Sequence, residues 1–171
     1  AMLSRLSSFL RYTLVYEPTA QVTLAQEVET LKLYLEIEKM RFEERLRVSY
    51  SVDDAARDAM IPSLLLQPLV ENAVKYAVSA KEDGADIAVS AQLIGPNVRI
   101  IVSDTGPGLH GEQARDTVST GVGMANIRER LIQTYGTNHR FDTTSKLTGG
   151  FEVAIELPYG RTAPGQLAVF T

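Results

Sequence analysis

The chain has 171 residues, 44% hydrophobic and 22% charged, which suits one compact domain with a short attached element and argues against disorder. Its 17 basic and 21 acidic side chains give a formal net charge of −4 and are dispersed rather than striped, so nucleic acid is not an expected partner. The absence of cysteine excludes disulfides and thiolate metal sites and points to a cytoplasmic compartment. No apolar run approaches the roughly 18 residues of a membrane span, so membrane attachment is expected only through upstream regions of a longer parent chain.

Leu3, Leu6, Leu10 and Leu14 recur at spacings of three and four, which predicts an amphipathic helix over 3–16 that ends near Pro18. A second helix follows. Thr23 with Gln26 makes a capping-box signature, and Leu24, Val28, Leu31, Leu35 and Phe42 fall on a 3.5-residue seam that Glu38 interrupts. Such a seam fits packing on its own domain and a dimer contact equally well. Leu46 to Val52 alternates as a strand does, and a polar turn over 53–58 follows, so a domain boundary is expected near residue 45. Residues 62–79 are the most apolar helix candidate, with Pro62 in its first turn and Pro68 expected to bend its interior.

Two alternating strands, predicted over 86–94 and 97–104, are joined through Gly95, Pro96 and Asn97 as a hairpin. A stretch rich in Gly, Ser and Thr then leads to a helix predicted over 124–135 and strands near 139–144 and 151–157. This order implies an α+β fold, a two-layer α/β sandwich with helices on one sheet face, preceded by two helices. The expected division is a helical element over 1–44, a main domain over 45–160 and a tail over 161–171.

Three motifs carry chemistry. In Val70-Glu-Asn-Ala-Val-Lys-Tyr76, Asn72, Lys75 and Tyr76 stand at i, i+3 and i+4, on one helical face. An amide oxygen there suits Mg²⁺, which completes its shell with water and phosphate, and a lysine one turn along can meet the same phosphates. By itself the pattern also fits a solvated face in which Glu71 and Lys75 pair. In Asp104-Thr-Gly-Pro-Gly-Leu109, a carboxylate at a strand end accepts a hydrogen bond from the amine of adenine but not from the carbonyl of guanine. Gly106 and Gly108 permit positive φ and close backbone approach, although Asp, Gly and Pro also make plain turns. In Gly121-Val-Gly-Met-Ala-Asn-Ile-Arg-Glu-Arg130, Gly121 and Gly123 enter a helix whose free N–H groups suit phosphate. Asn126, Arg128 and Arg130 follow, as phosphate contacts or as solvated side chains.

In order and spacing, these motifs resemble the N, G1 and G2 boxes of the GHKL superfamily of gyrase, chaperone, histidine kinase and mismatch-repair ATP-binding domains. Pro62 to Ala73, Gly121 to Leu131 and, upstream, Phe9 to Tyr12, Val22 to Glu27 and Tyr34 to Phe42 are similar to the LytS-type branch of sensor histidine kinases. The resemblance implies a Bergerat-type sandwich binding ATP and Mg²⁺, with Asn72 on the metal, Asp104 on adenine, and Gly106, Gly108, Gly121 and Gly123 shaping the pocket and lid. It makes Lys75 and Tyr76 nucleotide contacts and gives Glu71 a part in polarising the acceptor imidazole. It further implies a response-regulator partner and a homodimeric full-length protein. The family's acceptor histidine lies in an Asn-Pro-His-Phe type segment, and nothing before Phe9 matches it. His110 and His139 are both expected to be structural or surface residues. Where the family has Gly-Gly-Thr, this chain reads Gly149-Gly150-Phe151. Two rivals stand beside a kinase: an ATPase or ATP-driven switch of the same superfamily, and a non-catalytic dimerisation or docking module.

Overall fold

The computed structural model describes residues 21–79, 81–106, 118–146 and 149–160, and of 118–123 the backbone alone. The helix expected over 3–16 and the tail after residue 160 lie outside these residues. Strand β1 (Gln21–Thr23) runs directly into α1 (Leu24–Phe42), whose Thr23 and Gln26 form the expected capping box with reciprocal bonds of 2.9 and 3.2 Å. After a short turn come β2 (Leu46–Val52) and β3 (Met60–Pro62), the latter pairing antiparallel with β1 as a small ribbon. Helix α2 (Gln67–Ala73) continues as a π turn over Val74–Val78. Strands β4 (Ala85–Ile94) and β5 (Asn97–Asp104), helix α3 (Val118–Tyr135), and strands β6 (Arg140–Ser145) and β7 (Phe151–Pro158) complete the described fold.

The main sheet has the order β2-β4-β5-β7-β6, parallel at β2–β4 and antiparallel elsewhere. Strand alternation divides its faces. Ile87, Val89, Ala91, Val98, Ile100, Val102, Val153, Ile155 and Leu157 are buried on the inner face, and residues such as Ser90, Arg99, Ser103 and Glu156 line the other. The inner face forms one core with α1, α2 and α3, to which Val28, Leu31, Leu35, Leu69, Val70, Ile127 and Leu131 contribute. This is the two-layer α+β sandwich expected. The α1 seam is therefore buried against its own domain, and residues before 45 share a core with those after it.

Two expectations need correction. The 62–79 segment is not one helix: Pro62 ends strand β3 opposite Gln21, where a missing N–H is tolerated, and the chain turns before α2 begins at Gln67. Pro68 sits in the first turn of α2, where a backbone N–H would have no intrahelical partner and its absence costs nothing, so it starts the helix instead of bending it. The irregularity falls later, at the π turn, where Ser79 N–H reaches Val74 O at 3.0 Å. Helix α3 begins at Val118 rather than near 124, so Gly121 and Gly123 lie within it and not ahead of it.

Candidate nucleotide site

Asp104 follows Val98, Ile100 and Val102 in the inward phase of β5 and is only 7% exposed. A carboxylate carried onto an apolar face needs donors. Its Oδ1 accepts from Gly106 N–H at 2.9 Å. Gly106 is required by closeness: a Cβ there would stand 2.6 Å from Ala77 Cβ and 2.8 Å from Ala77 Cα. Its φ is not left-handed, so the positive φ expected at this position is not what calls for glycine. Thr105 is pinned to β4, its N–H donating to Asp86 O at 3.1 Å and its Oγ1 accepting from Asp86 N–H at 2.9 Å. Lys81 Nζ donates to Thr105 O at 3.1 Å. From the far side, Gly150 N–H donates to Gly106 O at 2.8 Å, and a Cβ on Gly150 would lie 2.9 Å from Asp104 O. Phe151 is the cross-strand partner of Asp104 and shares its face of the sheet.

Helix α2 packs on β5, and its π turn presents Ala77 to Gly106, so the Asn72 motif and the Asp104 turn are neighbours. Asn72 and Tyr76 are half-buried, Glu71 and Lys75 exposed. Lys75 Nζ lies 5.1 Å from the Tyr76 ring centroid. A π turn widens the helix where these side chains leave it, so their strict α-helical spacing does not hold. Glu71 accepts from Gln67 Nε2 at 3.2 Å. It also faces α1: the Tyr34 phenol is held well above its ordinary pKa, first by burial and then by the carboxylates of Glu38 and Glu71. Helix α3 packs on α2 in turn, with its buried Ile127 and Leu131 in the same core.

Gly108, His110 and Thr148 lie outside the described residues. Asn126 is exposed, and Arg128 stacks over Phe141 with 4.6 Å to the ring centroid. Arg130 donates to Ser63 O at 2.6 Å, and burial lowers its pKa while the charge of Glu27 opposes that shift. His139 Nδ1 lies 2.8 Å from Gly136 O, a local turn contact. Ala77, Lys81 and Gly150 shape the Asp104 turn, yet sequence reasoning did not single them out for it. The only signal was the Gly149-Gly150 pair, read as the flank of an absent threonine.

A mixed sheet covered on one face by helices is the fold this chain shares with solved catalytic domains of histidine kinases. The chain belongs to the family described as Histidine kinase-, DNA gyrase B-, and HSP90-like ATPase, which matches residues 57–161, and the Histidine kinase family matches residues 1–46. It is 36% identical over 137 residues to the sensor histidine kinase YesM of Bacillus subtilis, covering 80% of this chain and 24% of that protein. It is 34% identical over 171 residues to the sensor histidine kinase/phosphatase LytS of Staphylococcus aureus, covering 94% of this chain and 29% of that protein. The chain thus spans less than a third of the length of these relatives. Among solved structures, the catalytic domain of histidine kinase ThkA has a TM-score of 0.61 at 17% identity, over 82% of this chain and 95% of that one. The histidine kinase domain of the Erythrobacter litoralis EL346 blue-light activated kinase has a TM-score of 0.59 at 18% identity, over 93% and 75%. These likenesses establish the fold.

Proposed function

We propose that this chain binds Mg-ATP between α2, the Asp104 turn and the start of α3. In its parent protein it transfers the γ-phosphoryl group to a histidine outside this chain, from which a response-regulator aspartate receives it. The observation that carries the reading is Asp104, a buried acceptor at a strand end beside a turn seated tightly against the Asn72 helix. An ionised carboxylate there takes a hydrogen bond from the amine of adenine and rejects the carbonyl of guanine. Gly106 and Gly108 let the turn approach the base, Tyr76 contacts the nucleotide, and Gly121 and Gly123 shape the cover.

Asn72 offers a half-buried amide oxygen that fits Mg²⁺, an ion that binds few protein oxygens and neutralises phosphate charge when present. Lys75 adds a second positive group toward the same phosphates. Phosphoryl transfer rests on positioning and charge neutralisation: the bond from γ-phosphorus to the ADP oxygen breaks as a bond to imidazole nitrogen forms. In this reading Glu71 polarises the acceptor imidazole by holding the proton on its other ring nitrogen. Residues 1–44 then belong to the helical dimerisation element, with α1 built into the core of the ATP-binding domain over 45–160, residues 161–171 are a tail, and the parent protein is a homodimer in the cytoplasm or anchored through upstream regions.

Calorimetric titration with Mg-ATP and Mg-GTP, followed by addition of the upstream histidine segment as a separate chain, tests this. The expected result is ATP-selective binding and acid-labile phosphate on the added segment. Equal affinity for the two nucleotides contradicts the role of Asp104, and steady phosphate release with no labelled histidine points to an ATPase instead.

A further inference from the structure

Glu27 is a carboxylate with 0% exposure, among the largest fully buried side chains of the protein. It lies on α1 beside Leu24, Val28 and Leu31, on the stripe that packs into the core. Its two oxygens accept from the backbone N–H groups of Leu64 and Leu66, each at 3.1 Å. Between β3 and α2 these residues form the turn that launches the Asn72 helix, and Leu64 has a left-handed φ of 57°, a conformation a branched side chain rarely adopts. Arg130 of α3 donates to Ser63 O of the same turn at 2.6 Å, and the charge of Glu27 acts on its guanidinium.

We infer that Glu27 is a positioning residue for the nucleotide site: from α1 it fixes the turn that starts the Asn72 helix, and with Arg130 it ties that turn to the helix carrying Gly121 and Gly123. This rests on the proposed nucleotide site. Stability alone does not explain a buried charge, because an apolar residue of similar volume commonly serves a core as well or better. What a carboxylate adds is direction: two fixed acceptors for two specific N–H groups, holding a strained turn in one geometry. The π turn that continues the same helix is held from the turn between α1 and β2, where Arg45 donates to Val78 O at 3.0 Å and Lys81 O at 2.8 Å. A displacement of α1 therefore reaches the start of α2 through Glu27, and with the turn that follows α1 it reaches the π turn through Arg45, while Arg130 carries it to α3.

The test uses Glu27→Gln, Arg130→Lys and the double variant in the whole 171-residue chain. Amide hydrogen exchange reads the coupling, and titration with Mg-AMP-PNP reads its consequence. Expected for E27Q is cooperative unfolding with faster exchange in both 63–73 and α3, little change in β4, β5 and β7, and nucleotide binding weakened about tenfold. R130K gives the same pattern more mildly, and the double variant binds no more weakly than E27Q. Faster exchange confined to 63–66, a uniform rise across the sheet, or unchanged nucleotide affinity in the folded variants overturns the inference. Failure of the unaltered chain to bind AMP-PNP overturns the functional reading instead, and the exchange pattern still decides the coupling. Should E27Q not fold, R130K carries both measurements.

Discussion

The Asp104 turn shows how much a single position can carry. Replacing Asp104 with Asn keeps volume and one acceptor but adds an amide donor where the proposed base amine donates. Asp104→Asn is expected to weaken ATP binding about tenfold or more and to narrow the gap between ATP and GTP, as competitive titration would show. Gly106→Ala meets a different obstacle. A methyl 2.6 Å from Ala77 Cβ forces the turn and the π segment apart, so the domain should lose about 1–3 kcal/mol in urea unfolding and bind nucleotide less tightly. The first of these residues was legible in the sequence as a carboxylate closing an alternating strand ahead of Gly106-Pro107-Gly108. The reason for the second was not: glycine permits both positive φ and close approach, and only the packing of Ala77 decides between them. Glu27 was hidden in a similar way. It falls on the apolar stripe of α1, but acidic residues near a helix start are ordinary, and its partners lie 37 and 39 residues away.

Elements bounded by local chemistry followed the sequence closely. The Thr23–Gln26 box starts α1, and Gly95-Pro96 closes the β4–β5 hairpin with Ile94 opposite Asn97. Where one residue type serves two roles, local reading failed. Proline begins helices and ends strands, so Pro62 and Pro68 fitted a single long helix on paper, while pairing with Gln21 made Pro62 the end of a ribbon strand. The π turn after Ala73 has no sequence signature of its own and arises in tertiary packing. The α1 seam left dimer contact and self-packing both open, because heptad spacing and a core-facing stripe differ little over three turns. Its burial gives a direct test: Leu31→Ala, at a side chain 1% exposed, should cost the whole domain about 2–5 kcal/mol in one cooperative transition. Melting of α1 alone, with the sheet unaffected, would show that the helix is only an appendage.

At the scale of the whole molecule, Tyr34, Tyr50 and Tyr135 are partly buried against the core, and this makes stability sensitive to alkali. Burial pushes the phenols of Tyr50 and Tyr135 up to about 12, and Tyr34 is shifted in the same direction. Unfolded tyrosines ionise near pH ~10, so above that the unfolded chain holds fewer protons than the folded one, and stability falls with rising pH. Stability should be unaffected by these groups below about pH 10 and decline between about 10 and 12. Urea midpoints measured across that range should show the loss, and Tyr50→Phe should reduce it. The layer arrangement itself was readable from the alternation of strand and helix periods, since only one sheet face carries enough apolar surface to bury. The parallel pairing of β2 with β4 was not, because it depends on the crossover through the β3 ribbon and α2.

The holds of Glu27 in α1 and of Arg45 just after it on the Asn72 segment bear on how the proposed parent kinase can be recombined. A sensor module exchanged by joining a foreign helix at residue 45 would keep every nucleotide motif yet discard Glu27 and the seam beneath it. The recipient would then supply whatever register its own helix happens to impose on the launching turn. Chimeras joined upstream of Gln21 retain the native grip and should respond to a new input through it, whereas those joined downstream should differ from one another in basal activity even with identical catalytic motifs.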